Sequence, residues 1–321
     1  MKNKPILIIG GEPFSIFLEI YFKAMKLKRF KKPIILIVSK NLLLRQMKFL
    51  NYNFKVNLID KKNIQFKKIN NKTINIIDIN FNFKRPFDKI SDKSNSYIEK
   101  CFKTALQLIK KKKFTGIING PISKKNFLKE RYLGVTEYLA DKVNKKNKEA
   151  MLIYNNKLSV SPLTTHLPLK HVYKNITKKK IINQVNLIKK FYKKNFNINP
   201  KIGITGLNPH CESNYKSSEE KNIIIPAIKY LKKTTSNISG PFPSDTIFLK
   251  NNLKKFDCII GMYHDQVLAP IKSIYGFNAI NITLGLPFIR VSPDHGPNES
   301  MIGKNKSNPE SLIQALNFLD K

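Results

Sequence analysis

The chain has no tryptophan, three cysteines and five histidines in 321 residues. Arginine is nearly absent, with only Arg29, Arg45, Arg85, Arg131 and Arg290 against a lysine-rich background. Acidic residues number 21, against 59 lysines and arginines. No apolar run approaches the ~20 residues of a membrane-crossing helix; Pro33 to Val38 is far too short. Cys101, Cys211 and Cys258 form no CxxC pair, which argues against a disulfide framework and for reduced thiols in a cytoplasmic protein. Cys211 follows His210, so metal ligation is open to it; a small buried or half-buried thiol is the plainer reading. The opening MKNKPILIIGG sets basic residues before apolar ones, as a signal peptide does. Its apolar run is short, however, and GEP stands where small residues would mark cleavage. It reads as a first strand.

The net charge of +38 raises nucleic acid or an anionic membrane as partners. The lysines are spread along the whole chain and form no single block. The short runs at Lys110 to Lys113 and Lys178 to Lys180 fall at expected helix ends or on solvated faces. Arginine, the preferred phosphate reader, is scarce, and no nucleic-acid-reading motif is visible. The sequence therefore points away from nucleic acid and membrane. An electrostatic pull on anionic substrates is what the charge leaves over.

Strand-like apolar runs alternate with amphipathic stretches. Strands are expected at Pro5 to Ile9, Pro33 to Val38, Lys55 to Ile59, Ile74 to Ile77, Gly116 to Asn119, Glu149 to Tyr154, Lys157 to Ser161, Lys201 to Thr205, Cys258 to Ile260 and Ala279 to Thr283. Helices are expected at Ser15 to Lys26, Asn41 to Leu50, Ser94 to Lys111, Ile181 to Phe196, Glu219 to Lys233 (kinked at Pro226) and Ser311 to Leu319. In Ser94 to Lys111 the apolar residues Tyr97, Cys101, Ala105 and Leu108 share one face. Such alternation implies an α/β fold with a mainly parallel or mixed sheet.

The chemistry gathers between Asp257 and Gly296. Cys258-Ile259-Ile260 ends at Gly261 and delivers Tyr263, His264, Asp265 and Gln266 together, as strand ends in α/β proteins deliver site residues. His166 and His210 also follow apolar strands closely. Three imidazoles on one sheet edge would form a nitrogen site for a divalent ion with an open position. Three separate histidines, each satisfied locally, fit the spacing equally well. His171 reads as a surface residue. Arg290 lies in a Pro- and Gly-containing segment of a chain that elsewhere writes Lys, which points to a bidentate grip on a carboxylate or phosphate.

GMYHDQ, NITLGLPFIR and DHG, with TTHLPL (Thr164 to Leu169), GLNPH (Gly206 to His210) and GPFPSDT (Gly240 to Thr246) in the same order, resemble the 4-hydroxythreonine-4-phosphate dehydrogenase family of pyridoxal phosphate biosynthesis. The resemblance implies two α/β/α domains around a cleft, similar to isocitrate and isopropylmalate dehydrogenases. They would be formed by 1–115 with 285–321 and by 116–284. It implies oxidation of 4-phosphooxy-L-threonine by NAD or NADP, then loss of carbon dioxide to give 3-amino-2-oxopropyl phosphate. It further implies one divalent metal (Zn, Co, Mn or Mg) on His166, His210 and His264, and a homodimer sharing its active site. By the same resemblance Thr136, Lys272, Asn281 and Arg290 hold substrate. Lys272 is the candidate base, and Asp265 and Asp245 assist catalysis by orienting histidines or balancing charge; a helix N-cap is the other reading of Asp245. Glu12, Asp294 and His295 are assigned to the cofactor.

The sequence also departs from the family pattern. Val135 stands where the family has a substrate-contacting His. Cys211 to Tyr215 lacks the family's glycines, as does Phe14 to Phe17 after Gly11-Glu12-Pro13. Pro297-Asn298-Glu299-Ser300 replaces small residues beside the dinucleotide. These changes imply weaker dinucleotide binding and leave two alternatives: another four-carbon acid phosphate as substrate, or a metal-binding homologue with impaired dinucleotide binding.

Overall fold

A computed structural model of the chain describes residues 4–129, 131–211, 217–276, 278–293 and 295–321. Among these residues the strands are β1 (Ile6–Ile9), β2 (Ile34–Val38), β3 (Val56–Leu58), β4 (Ile74–Asp78), β5 (Gly116–Asn119), β6 (Ala150–Tyr154), β7 (Ser159–Pro162), β8 (Ile202–Thr205), β9 (Ile238–Phe242), β10 (Cys258–Gly261), β11 (Ile280–Leu284) and β12 (Arg290–Pro293). The chain divides into two compact units, Met1–Val135 with Phe288–Lys321, and Thr136–Pro287.

In the first unit the strand order is β3-β4-β2-β1-β5-β12, and every pairing is parallel. β1 and β2 read as unbroken apolar runs and are fully buried, the signature of parallel strands covered on both faces. Helices α1 (Phe17–Leu27), α2 (Lys40–Phe49) and α3 (Asn95–Ile109) accompany them. Ser39 caps α2 by accepting from Leu42 N–H. α3 buries Tyr97, Cys101, Ala105 and Leu108, the face its spacing marks. β5 belongs to this unit because it pairs with both β1 and β12, so the boundary falls after 135 and not at 115.

The C-terminal segment is tied to α1 by a buried carboxylate. Glu19 Oε1 accepts from Lys23 Nζ at 2.9 Å and from Ser307 N–H at 2.6 Å. Lys23 Nζ also reaches the carbonyls of Asn305 and Ser307.

In the second unit the order is β11-β6-β7-β10-β8-β9. β6 runs antiparallel to β7 and β11, and the β7, β10, β8 and β9 pairings are parallel. The sheet is thus mixed. The helix Val135–Lys142, α4, leads into this unit. The basic helix Lys178–Phe196 is capped by Thr177 and ends on Asn197 in the left-handed region at φ 59°. Helical backbone runs unbroken from 219 to 232, and Pro226 falls inside it, directly after a π-helical turn at Glu220–Ile224, the kind of local widening that accommodates a residue without an N–H. Lys178 to Lys180 lie in the first turn of their helix, the end that the helix dipole disfavours for cations, so they are a solvated run. Among the described residues no helix is long and apolar enough to cross a membrane.

Candidate active site

The parallel strands of the second unit end on one edge, and their loops are stitched together there. Leu163 N–H donates to Gly261 O at 2.7 Å, and Thr164 Oγ1 donates to Met262 O at 2.8 Å. These bonds hold the loop after β7 against the loop after β10. The rings of His166 and His264 consequently lie 5.6 Å apart, tilted by 39°. Gln266, which is buried, ties in β8. Its Oε1 accepts from Thr205 Oγ1 and Met262 N–H, and its Nε2 donates to Gly206 O.

His264 opens the helix His264–Tyr275. Its Nδ1 lies 2.6 Å from Asp265 Oδ1. A carboxylate only accepts, so Nδ1 donates to it, and Nε2 is the ring nitrogen left for a ligand. That is the arrangement in which a carboxylate orients a metal-ligating histidine. The donor set of two imidazoles, one so oriented, fits a divalent ion of the zinc or cobalt type. Among the described residues, however, no group of three or more His, Cys, Asp or Glu is gathered closely enough to hold one. Within one chain His210 does not complete the set.

His210 is held differently. It is exposed, with φ 56°, and Cys211 follows at φ 60°, a pair of left-handed residues that strains a non-glycine backbone. Glu220 holds the loop. Its Oε1 accepts from Leu207 and Asn208 N–H, and its Oε2 from Asn208 Nδ2 and Ser218 Oγ. Burial alone would raise this carboxyl, yet those bonds bring it down to about 2. Gly206 is required here, because a Cβ would come within 2.7 Å of Cys211 Sγ. The glycine-poor segment 212–216 lies outside the described residues.

The remaining candidates of this unit are dispersed. Thr136 is buried in α4, with Oγ1 3.4 Å from Thr283 Oγ1. Asn281 is on β11 and has a buried Oδ1 without a hydrogen-bond partner. Lys272 is exposed, two turns after His264 on the same helix, a rise of about 12 Å. Asp245 is exposed in the short helix Ser244–Ile247, whose N-cap is Pro243, so it caps nothing.

In the first unit, Arg290 begins β12 and is buried, with Nε donating to Asn119 Oδ1 at 2.7 Å. Glu12 follows β1 on a turn that needs Gly11 at φ 74°, where a Cβ would strike Pro121 O at 2.4 Å. Burial pushes the Glu12 carboxyl up to about 7, with Glu299 adding to the rise. A side-chain hydrogen bond from the buried Ser94 holds the rise back. Ile16 N–H donates to Pro297 O at 3.3 Å, so the segment after DHG meets the turn after Glu12. His295 Nδ1 lies 3.0 Å from Gly296 O. Asp294 lies outside the described residues.

Glu137, in the first turn of α4, accepts from Thr165 Oγ1 at 3.0 Å; it and Glu220 carry no mark in the sequence that separates them from other acids. Their partners come from segments distant along the chain or across a loop. Only their rarity in so basic a chain could have drawn notice.

Fold and strand-end chemistry together define an α/β protein that presents a carboxylate-oriented histidine pair at the ends of parallel strands. The same fold is found in isocitrate dehydrogenase from Methylococcus capsulatus, at a TM-score of 0.50, with 8% identity over 98% of this chain and 83% of that one. The chain belongs to the family described as pyridoxal phosphate biosynthetic protein PdxA, which it matches over residues 29–319. It is 39% identical, over 97% of its length and 96% of the relative's, to 4-hydroxythreonine-4-phosphate dehydrogenase from Sulfurihydrogenibium sp.. The crystal structure of 4-hydroxythreonine-4-phosphate dehydrogenase from Klebsiella pneumoniae superimposes with a TM-score of 0.85 at 26% identity, over 99% of this chain and 98% of that one.

Proposed function

We propose that this protein is an NAD(P)-linked, metal-requiring dehydrogenase that oxidises 4-phosphooxy-L-threonine at C3. The observation that carries the reading is the His166–His264 pair, with Asp265 on His264, in a chain of this family. Bound NAD or NADP would accept the C3 hydride, and a side-chain base the hydroxyl proton. The β-keto acid so formed loses carbon dioxide, leaving 3-amino-2-oxopropyl phosphate. A divalent ion, when bound, polarises the hydroxyl oxygen and lowers its pKa. His166, His210 and His264 are assigned as its ligands, with Asp265 fixing the His264 tautomer. Lys272 is assigned as the base and as a substrate contact, together with Thr136 and Asn281; Asp245 balances charge. Arg290 is assigned an anionic partner. Among the described residues His210 does not join the histidine pair within one chain, which supports a homodimer in which a second copy completes the site.

Glu12, His295 and Asp294 are assigned to the dinucleotide. The buried Glu12 carboxylate, set by the turn at Gly11, suits a ribose hydroxyl as donor. Glu299 sits close enough to raise Glu12, and two carboxylates there weaken binding of an anionic cofactor.

A second reading is favoured by Val135 at the start of α4: oxidation of another four-carbon acid phosphate. Purified protein with a divalent metal and NAD or NADP, offered 4-phosphooxythreonine, should form reduced cofactor and carbon dioxide in equal amounts. Turnover of erythronate or threonate 4-phosphate alone would select the second reading.

A further inference from the structure

Where β2 and β4 begin, the first unit holds a cavity of about 570 Å³, a size usual for a small-molecule site. The second half of α1 and the turn after it form one side, and 71–74 entering β4 form another. Tyr21, Met25, Phe30, Phe54 and Ile74 make its apolar wall. Lys28, Arg29 and Lys72 stand on its exposed rim. Among the described residues no carboxylate lines it, and none of the three cations is in an ion pair.

Asn71 fixes the rim. Its Nδ2 donates to Phe30 O at 2.9 Å and to Lys32 O at 2.8 Å, and its Oδ1 accepts from Ile34 N–H at 3.0 Å. Lys72 N–H donates to Asn70 Oδ1. The turn that carries Arg29 is thereby clamped to the turn that carries Lys72. Arginine is scarce in this chain, and its planar fork suits a phosphate.

Tyr21 is a second, independent mark. It is 1% exposed, yet it lines the cavity. Burial raises its hydroxyl above the ordinary tyrosine value, and no hydrogen bond opposes the rise. A buried tyrosine hydroxyl ordinarily finds a partner. Here a polar atom of a bound molecule would supply it.

We propose that this cavity binds a planar heteroaromatic monophosphate. The ring packs on Phe30, Phe54 and Met25, a polar ring atom meets the Tyr21 hydroxyl, and the phosphate takes Arg29 with Lys28 and Lys72. The site is separate from the assigned dinucleotide residue Glu12. β1, β2 and β4 run parallel; Glu12 follows the end of β1, whereas the cavity residues precede β2 and β4. The ligand is thus an effector and not a substrate. α1 joins the two ends. Ser15 donates to Glu12 O at 2.8 Å and accepts from Phe17 N–H, and Phe17 begins the helix that carries Tyr21 and Met25.

The test is calorimetric titration of the full-length protein, with and without NAD, using pyridoxine 5′-phosphate, phenyl phosphate and inorganic phosphate as probes. Pyridoxine 5′-phosphate should bind about tenfold or more tightly than inorganic phosphate, because its ring adds apolar burial. It should also bind more tightly than phenyl phosphate, which offers Tyr21 no polar ring atom. Arg29→Gln should weaken both aromatic phosphates by about tenfold. Tyr21→Phe should weaken pyridoxine 5′-phosphate by about fivefold and leave phenyl phosphate unchanged. Arg45→Gln, on α2 and outside the cavity, should bind as the unmodified protein does. Unchanged affinity in Arg29→Gln and Tyr21→Phe would overturn the inference. Equal affinity for inorganic phosphate would reduce the site to a surface cation cluster and overturn it too, and binding that NAD abolishes would place the probe at the dinucleotide end. Each of these outcomes leaves the dehydrogenase reading standing.

Discussion

At the scale of single residues, the site is decided by which polar atoms already have partners. His264 gives Nδ1 to Asp265, so only Nε2 is left for a ligand. Asp265→Asn should permit the other tautomer, and a loss of about 10- to 100-fold in metal affinity is expected, the usual cost of removing such an orienting group. Competition with a metal-binding dye would measure it, and unchanged affinity would refute the assignment. Val135 offers no hydrogen bond where an imidazole would offer a charge-assisted one. Val135→His is therefore expected to raise kcat/KM for 4-phosphooxythreonine by about ten- to a hundred-fold, at about 1.4 kcal/mol per decade. Steady-state kinetics giving identical constants would show that the position does not set specificity. Glu12 makes stability depend on pH. Its folded value of about 7 lies above the ordinary 4.5, so the stability this carboxyl contributes is full below about 4.5 and is lost as pH rises through 7. Glu12→Gln should remove that loss, a gain on the order of 3 kcal/mol at pH 8. Denaturant melts at pH 5 and pH 8 would show it, and parallel changes in both proteins would speak against it.

At the scale of elements, the loops after β7, β8 and β10 are held by side chains. Gln266 joins the last two, and Glu220 braces the strained turn at His210. The Glu220 carboxyl is lowered to about 2 from 4.5. Its contribution is therefore present above about 4.5 and lost as pH falls through 2. Glu220→Gln replaces an acceptor of four hydrogen bonds with a neutral amide. It should cost about 2–3 kcal/mol at pH 7 and less at pH 2.5, where the carboxyl is already partly protonated. Unfolding curves with the same loss at both pH values would mean that charge is not what holds the loop.

At the scale of the whole molecule, one chain brings two of the three proposed metal ligands together. If a second copy supplies the third, His210→Ala and His264→Ala should each lose activity. Mixing the two under exchange conditions should restore part of it, because a mixed dimer holds one complete site. No recovery from a demonstrably mixed dimer would exclude sharing. The +38 charge acts at this scale as well. Like-charge repulsion should weaken the dimer at low salt and fade near 0.15 M, where the Debye length is about 8 Å. Light scattering across a salt series would detect it.

The sequence by itself determined the alternation of elements and the histidines' positions at strand ends. Apolar runs such as Ile34 to Val38 and the helical face of Tyr97, Cys101, Ala105 and Leu108 are local patterns, and burial follows them directly. Motif order was enough to indicate the family, because strand-end residues lie in short contiguous blocks. Tertiary structure alone decided that β5 closes on β12, that β6 runs antiparallel to its neighbours, and that a π-helical turn precedes Pro226. It alone showed that Glu220 grips the His210 loop and that Glu137 meets Thr165. The physical reason is range. Periodicity reports on a residue's neighbours within a turn or two, whereas a buried carboxylate takes its meaning from donors that the fold brings to it from elsewhere in the chain.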